Sequence, residues 1–185
     1  HSHDRHLYAI LKFTKQLSNE IIVHVITDGR DTSPTSGQMY IKELIEFIEE
    51  EQINATIATV SGRYYAMDRD KRWDRTRKAF KAFVNREGEI SDSPISAISN
   101  SYNNNITDEF IHPTVIENST DCAVEENDTI LFYNFRADRM RQIVNMFLSK
   151  DLSGEDYVPD LDIITMTTYN KEFQVEVLFS MEKVK

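Results

Sequence analysis

Four short runs of apolar, strand-forming residues punctuate this chain, and amphipathic stretches separate them. They read "EIIVHVIT" at 20–27, "NATIATVSG" at 54–62, "DTILFYNF" at 128–135 and "DIITMTTY" at 162–169. Near-continuous apolar, β-branched runs mark strands covered on both faces, as in a parallel sheet. The intervening segments repeat apolar residues at helical spacing. Leu7, Ile10, Leu11 and Leu17 share a face over 4–17, with Asp4 as the expected cap. Ile41, Leu44, Ile45 and Ile48 make a stripe in a helix beginning near Ser36. Trp73, Phe80, Phe83 and Val84 face inward over 70–86, and Met140, Ile143, Val144, Phe147 and Leu148 follow the third run. Between 90 and 122 Ser, Asn and Asp are frequent, which predicts short helices and loops. Strands alternating with helices predict an α/β fold: a single domain with a mostly parallel sheet sandwiched between helices (α/β/α) and right-handed crossovers.

Ligands of such folds bind outside the carboxyl ends of the strands. Three of the runs lead straight into polar residues: Asp28, Gly29, Arg30 and Asp31; then Gly62 and Arg63; then Arg136, Asp138 and Arg139. Parallel strands bring such ends to one edge, so arginines far apart in sequence are expected to meet. The chain carries a formal net charge of -10, yet "SGRYYAMDRDKRWDRTRK" and "NFRADRMR" hold most of its arginine. Arginine presents a planar fork of donors that grips carboxylate or phosphate bidentately. Several at one crevice repel one another unless an anion of more than one charge joins them.

Blander readings stand beside this one. The same charges also suit a solvated helix surface. Asp31 suits proton transfer with a substrate hydroxyl, or merely the holding of Arg30 or a turn. Arg72, Arg75 and Arg77 belong to the predicted helix and read as surface or salt-bridge residues. Trp73 reads as core, and His24, inside a strand, as a satisfied core histidine. Tyr64 and Tyr65 suit pocket or packing equally, and His112 has no assigned role.

These residues carry a resemblance. "DGRDTSP", "SGRYYAMDRDKRWDR", "DEFIHPTVI" and "FYNFRADRMRQI" resemble, in order and approximate spacing, the transferase domain of the cofactor-independent (2,3-bisphosphoglycerate-independent) phosphoglycerate mutases. The likeness covers essentially the whole chain, and "HSHDRHL" resembles the segment entering that domain. The family interconverts 3-phosphoglycerate and 2-phosphoglycerate in glycolysis and gluconeogenesis through a phosphoserine intermediate. The resemblance implies that 1–185 is the inserted domain. A phosphatase-like domain, with the serine nucleophile, two manganese ions and a completing lysine, would lie outside it. It implies substrate-binding roles for His1, Arg30, Asp31, Arg63, Arg69, Arg136 and Arg139, with Asp31 as the general acid/base, and no metal ligands in this chain. By itself the chain is then expected to be inactive, monomeric and cytoplasmic. The alternative is a stand-alone module that binds a small phosphorylated metabolite.

Other classes are disfavoured. The acidic balance argues against a nucleic-acid binder. No apolar run reaches membrane-spanning length. The start of the chain lacks the apolar core of a signal peptide. A single cysteine, Cys122, allows no internal disulfide and suits a reducing cytosol.

Overall fold

The structure is a computed structural model that describes residues 2–17, 20–119 and 122–180. Its elements run α1 (Asp4–Thr14), β1 (Ile21–Thr27), α2 (Gly37–Glu50), β2 (Ala55–Gly62), α3 (Arg63–Ala66), α4 (Trp73–Val84), β3 (Glu89–Ser91) and α5 (Pro94–Asn103). A 3-10 turn (Asp108–Phe110) leads to β4 (Thr114–Ile116), β5 (Thr129–Phe132), α6 (Ala137–Leu148) and α7 (Lys150–Ser153). A second 3-10 turn (Gly154–Asp156) precedes β6 (Asp162–Thr165) and β7 (Glu176–Val177).

The α/β class and the mostly parallel pairing are as expected, but the strands divide between two sheets. One has the order β1-β2-β4-β3, the other β5-β6-β7. Every pairing is parallel except that of β2 with β4. This division changes the reading of "EIIVHVIT". Its strand lies at a sheet edge, with only Val23 and Thr27 buried, whereas β2, paired on both sides, is buried from Ile57 through Gly62. β5 is likewise an edge strand and only partly covered. An apolar run reports coverage by helices; it does not report which strand has two neighbours.

Two cores follow. Leu11 from α1, Ile41 and Leu44 from α2, and Ala97 and Ile98 from α5 pack on Val23, Ile57 and Val60 of the first sheet. Phe80 and Phe83 from α4 and Ile143, Val144 and Phe147 from α6 form the second core. It also takes Ile26 from the first sheet and Ile130, Phe132 and Ile163 from the second, so α4 and α6 join the two sheets. Full burial of one such side chain contributes about 1.5–3 kcal/mol.

Local chemistry adjusts several expected ends. Asp4 does not cap α1; His3 does, its ring nitrogen accepting from the Arg5 amide at 3.3 Å. Leu17 falls beyond that helix and is 70% exposed. The expected helix over 70–86 starts at Trp73, because Lys71 sits in the left-handed region at φ 59°. In the weakly patterned stretch Ser93 caps α5, accepting from the Ser96 amide at 3.1 Å, and Pro94 occupies its first turn. His24 is a satisfied core histidine, its Nδ1 lying 2.9 Å from Thr59 Oγ1.

Candidate functional site: an arginine cluster between β1, β2 and α6

The loop after β1 folds on Asp28. Its carboxylate accepts from the backbone amides of Arg30 and Asp31, both at 3.0 Å. Asp28 and Asp31 then share one guanidinium: Arg63 Nη1 donates to Asp28 Oδ1 and to Asp31 Oδ2, both at 2.7 Å. Arg63, first residue of α3 at the carboxyl end of β2, is only 3% exposed. Burial raises the Asp28 carboxyl, but the Asp31 amide, the Arg63 side chain and the Arg30 amide outweigh it and hold the group below the usual carboxylate range. Arg30 is exposed and lies 3.6 Å from Glu109.

The other half is built on the first turn of α6. Arg136 Nε donates to Asp138 Oδ1 at 2.8 Å, and Arg69 Nη1 to Asp138 Oδ2 at 2.7 Å. These bonds, the Arg136 one foremost, pull the Asp138 carboxyl down to about 2. Arg139 stands apart. Its Nη1 donates to Met67 O at 3.1 Å, while its Nε is the one buried side-chain polar atom without a partner among the described residues. Burial lowers its pKa first, and the like charges of Arg63, Arg69 and Arg136 lower it further. The Arg69–Asp138 and Arg139–Met67 bonds join this half to the segment that follows α3, which Arg63 opens.

Four of the expected arginines, Arg63, Arg69, Arg136 and Arg139, therefore gather in one region, although β2 and β5 belong to different sheets, while Arg30 on the neighbouring loop pairs with Glu109. The route differs from the expected common strand edge: α6, packed on α4, carries Arg136 and Arg139 to the loop after α3. Acidic neighbours hold the cluster; sequence reasoning gave a role to Asp31 alone among them and missed Glu109. Asp28, Asp31, Asp138 and Glu109 offset most of its charge and leave Arg139 the under-satisfied member. Asp68 and Gln142 were also missed. Gln142 Nε2 donates to Asp68 Oδ1 and Thr76 Oγ1, both at 3.1 Å, and its Oε1 accepts from the Lys71 amide at 2.5 Å. The available signal was a polar residue set among Met140, Ile143 and Val144, where an apolar one fits the stripe.

His1 lies outside the described residues. Its neighbour Ser2 donates through Oγ to Tyr133 O at 2.6 Å and accepts from the Phe135 amide at 3.1 Å, just before Arg136. Arg72 and Arg75 pair with Asp68, Arg75 also lies 3.7 Å over the Tyr64 ring, and Arg77 donates to Leu152 O at 2.7 Å. They hold structure outside the cluster. No group of three or more His, Cys, Asp or Glu that could hold a metal ion occurs among the described residues. No helix among them is long and apolar enough to cross a membrane.

Comparison with known families decides the kinship. The model of the BPG-independent PGAM N-terminus matches residues 1–171. This chain belongs to that family. The 2,3-bisphosphoglycerate-independent phosphoglycerate mutase of Lawsonia intracellularis is 43% identical over 187 residues, covering 100% of this chain and 36% of that protein. The enzyme of the same name from Aliarcobacter butzleri is 41% identical over 186 residues, covering 100% of this chain and 37% of its own length. The chain thus spans little more than a third of these relatives. Among solved structures, one described as Leishmania mexicana phosphoglycerate mutase at low cobalt concentration superposes with a TM-score of 0.82. It is 26% identical and covers 90% of this chain and 33% of the other. The fold and the phosphoglycerate mutase kinship agree across all three.

Proposed function

We propose that this chain is the substrate-holding module of a phosphoglycerate mutase, and that its arginine cluster clamps the glycerate moiety during interconversion of 3-phosphoglycerate and 2-phosphoglycerate. The observation that carries the reading is Arg139, a half-buried side chain whose Nε is buried and unpartnered among the described residues, in the field of Arg63, Arg69 and Arg136. A buried donor without an acceptor costs about 1–3 kcal/mol. A ligand carboxylate or phosphate would supply the acceptor and the missing negative charge together.

The chemistry explains the need for such a clamp. In the proposed reaction a serine outside this chain takes the phosphoryl group and leaves glycerate behind. Glycerate must stay, turn, and accept the phosphoryl group on its other hydroxyl; its escape would turn a mutase into a phosphatase. Guanidinium forks hold an anion while its hydroxyls reorient. Keeping the reactants together is worth roughly 7–11 kcal/mol in the best-oriented cases. Arg30, Arg69, Arg136 and Arg139 are the clamp, with His1 a further donor. Arg63 joins it while holding Asp31, which moves the proton on and off the hydroxyls. Asp31 is half exposed, open to such a substrate. In this reading the two manganese ions belong with the phosphatase-like domain, and no step here runs through them.

With half of the site elsewhere the cluster is open to water and screened. Affinity for 3-phosphoglycerate is then about millimolar, near 4 kcal/mol. Incubating the chain with manganese and 3-phosphoglycerate should yield no 2-phosphoglycerate, while millimolar 3-phosphoglycerate shifts the arginine side-chain NMR signals. Turnover by this chain, or arginine signals indifferent to the ligand, would overturn the proposal.

A further inference from the structure

The segment "DEFIHP" at 108–113 contributes none of the clamp residues, yet it contains the most buried carboxylate in the neighbourhood. Asp108 is 1% exposed. It touches the 28–37 loop, which carries Arg30 and Asp31, at both ends and in the middle. Thr27 Oγ1, closing β1, donates to Asp108 O at 2.7 Å. The Asp108 amide donates to Pro34 O at 2.9 Å. The Gly37 amide, opening α2, donates to Asp108 Oδ2 at 2.7 Å.

The last bond has a helical reason. Ser36 precedes α2 but makes no side-chain cap bond. A carboxylate 71 residues away supplies the cap instead and lies favourably at the positive end of the helix dipole. Tyr102 OH donates to the other oxygen, Oδ1, at 2.5 Å. The fit leaves no room for a side chain on the loop. A Cβ on Gly29, which sits at φ +65°, would lie 2.7 Å from Asp108 Cβ, and one on Gly37 would lie 2.6 Å from Oδ1. The following residue, Glu109, reaches Arg30.

We infer that Asp108, braced by Tyr102, is a positioning residue: it fixes the 28–37 loop so that Asp31 meets Arg63 and Arg30 is held beside Glu109. Its purpose, though not its geometry, rests on the function proposed above. A loop pinned at three points has already lost the freedom that ligand binding would otherwise have to remove.

Hydrogen exchange and arginine side-chain NMR on the 185-residue chain test this. In Asp108→Ala, amides of 29–37 should exchange about ten-fold faster, the effect of one lost charge-assisted bond, while those of Ile143 and Val144 in α6 do not change. Added 3-phosphoglycerate should then no longer shift the Arg30 signal but should still shift Arg136 and Arg139. Tyr102→Phe should give the same pattern more weakly, and it decides the matter if Asp108→Ala does not fold. Unchanged loop exchange, or an equal loss of response at all three arginines, overturns the inference. Should the unsubstituted chain show no arginine response to 3-phosphoglycerate, the proposed function falls, and the exchange measurement still decides the positioning role.

Discussion

Arg139 and His24 are both partly buried cations in prospect, and the protein treats them oppositely. Arginine cannot shed its proton, so Arg139 stays charged among like charges with one donor unmet. Such a residue costs the empty fold stability. Replacing Arg139 by Met should raise chemical-denaturation stability by about 1 kcal/mol and abolish the 3-phosphoglycerate-induced shifts at Arg136. Equal or lower stability in Arg139→Met would show that the guanidinium is already satisfied. His24 can shed its proton and does so. Burial, then the charge of Arg86, lowers it from 6.5 to about 4. The folded state therefore binds that proton less readily than the unfolded chain. Its stabilising contribution is complete above pH 6.5 and is lost as pH falls from there towards 4. The full shift corresponds to on the order of 3 kcal/mol. Asp28 and Asp68 are held low and Asp138 lies near 2, so they titrate below this window; Asp108, pushed up by burial, works in the opposite sense. Comparing wild type with His24→Gln by urea unfolding at pH 7 and 4.5 isolates the histidine part. Parallel losses in the two proteins would refute it.

The loop at 67–72 and the first turns of α6 act as one element. Asp138 takes Arg69, Arg139 takes the Met67 carbonyl, and Gln142 takes the Lys71 amide and the Asp68 carboxylate. Asp68 in turn accepts from the Asp70 and Arg72 amides, so the left-handed turn at Lys71 is fixed from inside. Gln142→Leu would strand the Lys71 amide and one Asp68 bond, costing about 2 kcal/mol. Urea unfolding measures that cost, and NMR should show the Arg69 response to 3-phosphoglycerate lost while that of Arg30 survives. A silent Gln142→Leu would mean the loop is held elsewhere. This element also marks a limit of sequence reading. The α6 stripe of Met140, Ile143, Val144 and Phe147 was legible because burial of one face imposes the 3.6-residue period. Gln142 was not, because its importance comes from a loop 71 residues away.

Across the whole molecule, two sheets share α4 and α6, and the arginine cluster lies where α6 meets the loops after β1 and α3. Strand runs and helical stripes determined β1, β2, β5 and β6 and the helices α1, α2, α4 and α6, because burial acts on residues near in sequence; the short strands β3, β4 and β7 left no such pattern. The arginine-rich motifs determined the chemistry on offer, and DGRD, GRYYAMDR and FRADR are the segments that assemble. The tertiary structure alone decided that β1 and β5 lie at the edges of separate sheets. It alone decided that Arg63 is bound to two carboxylates while Arg139 is left wanting an acceptor, and that Asp108 caps a helix far from it in sequence. Those outcomes depend on which long-range partner reaches a polar group first once water is excluded, and a local pattern carries no record of that competition.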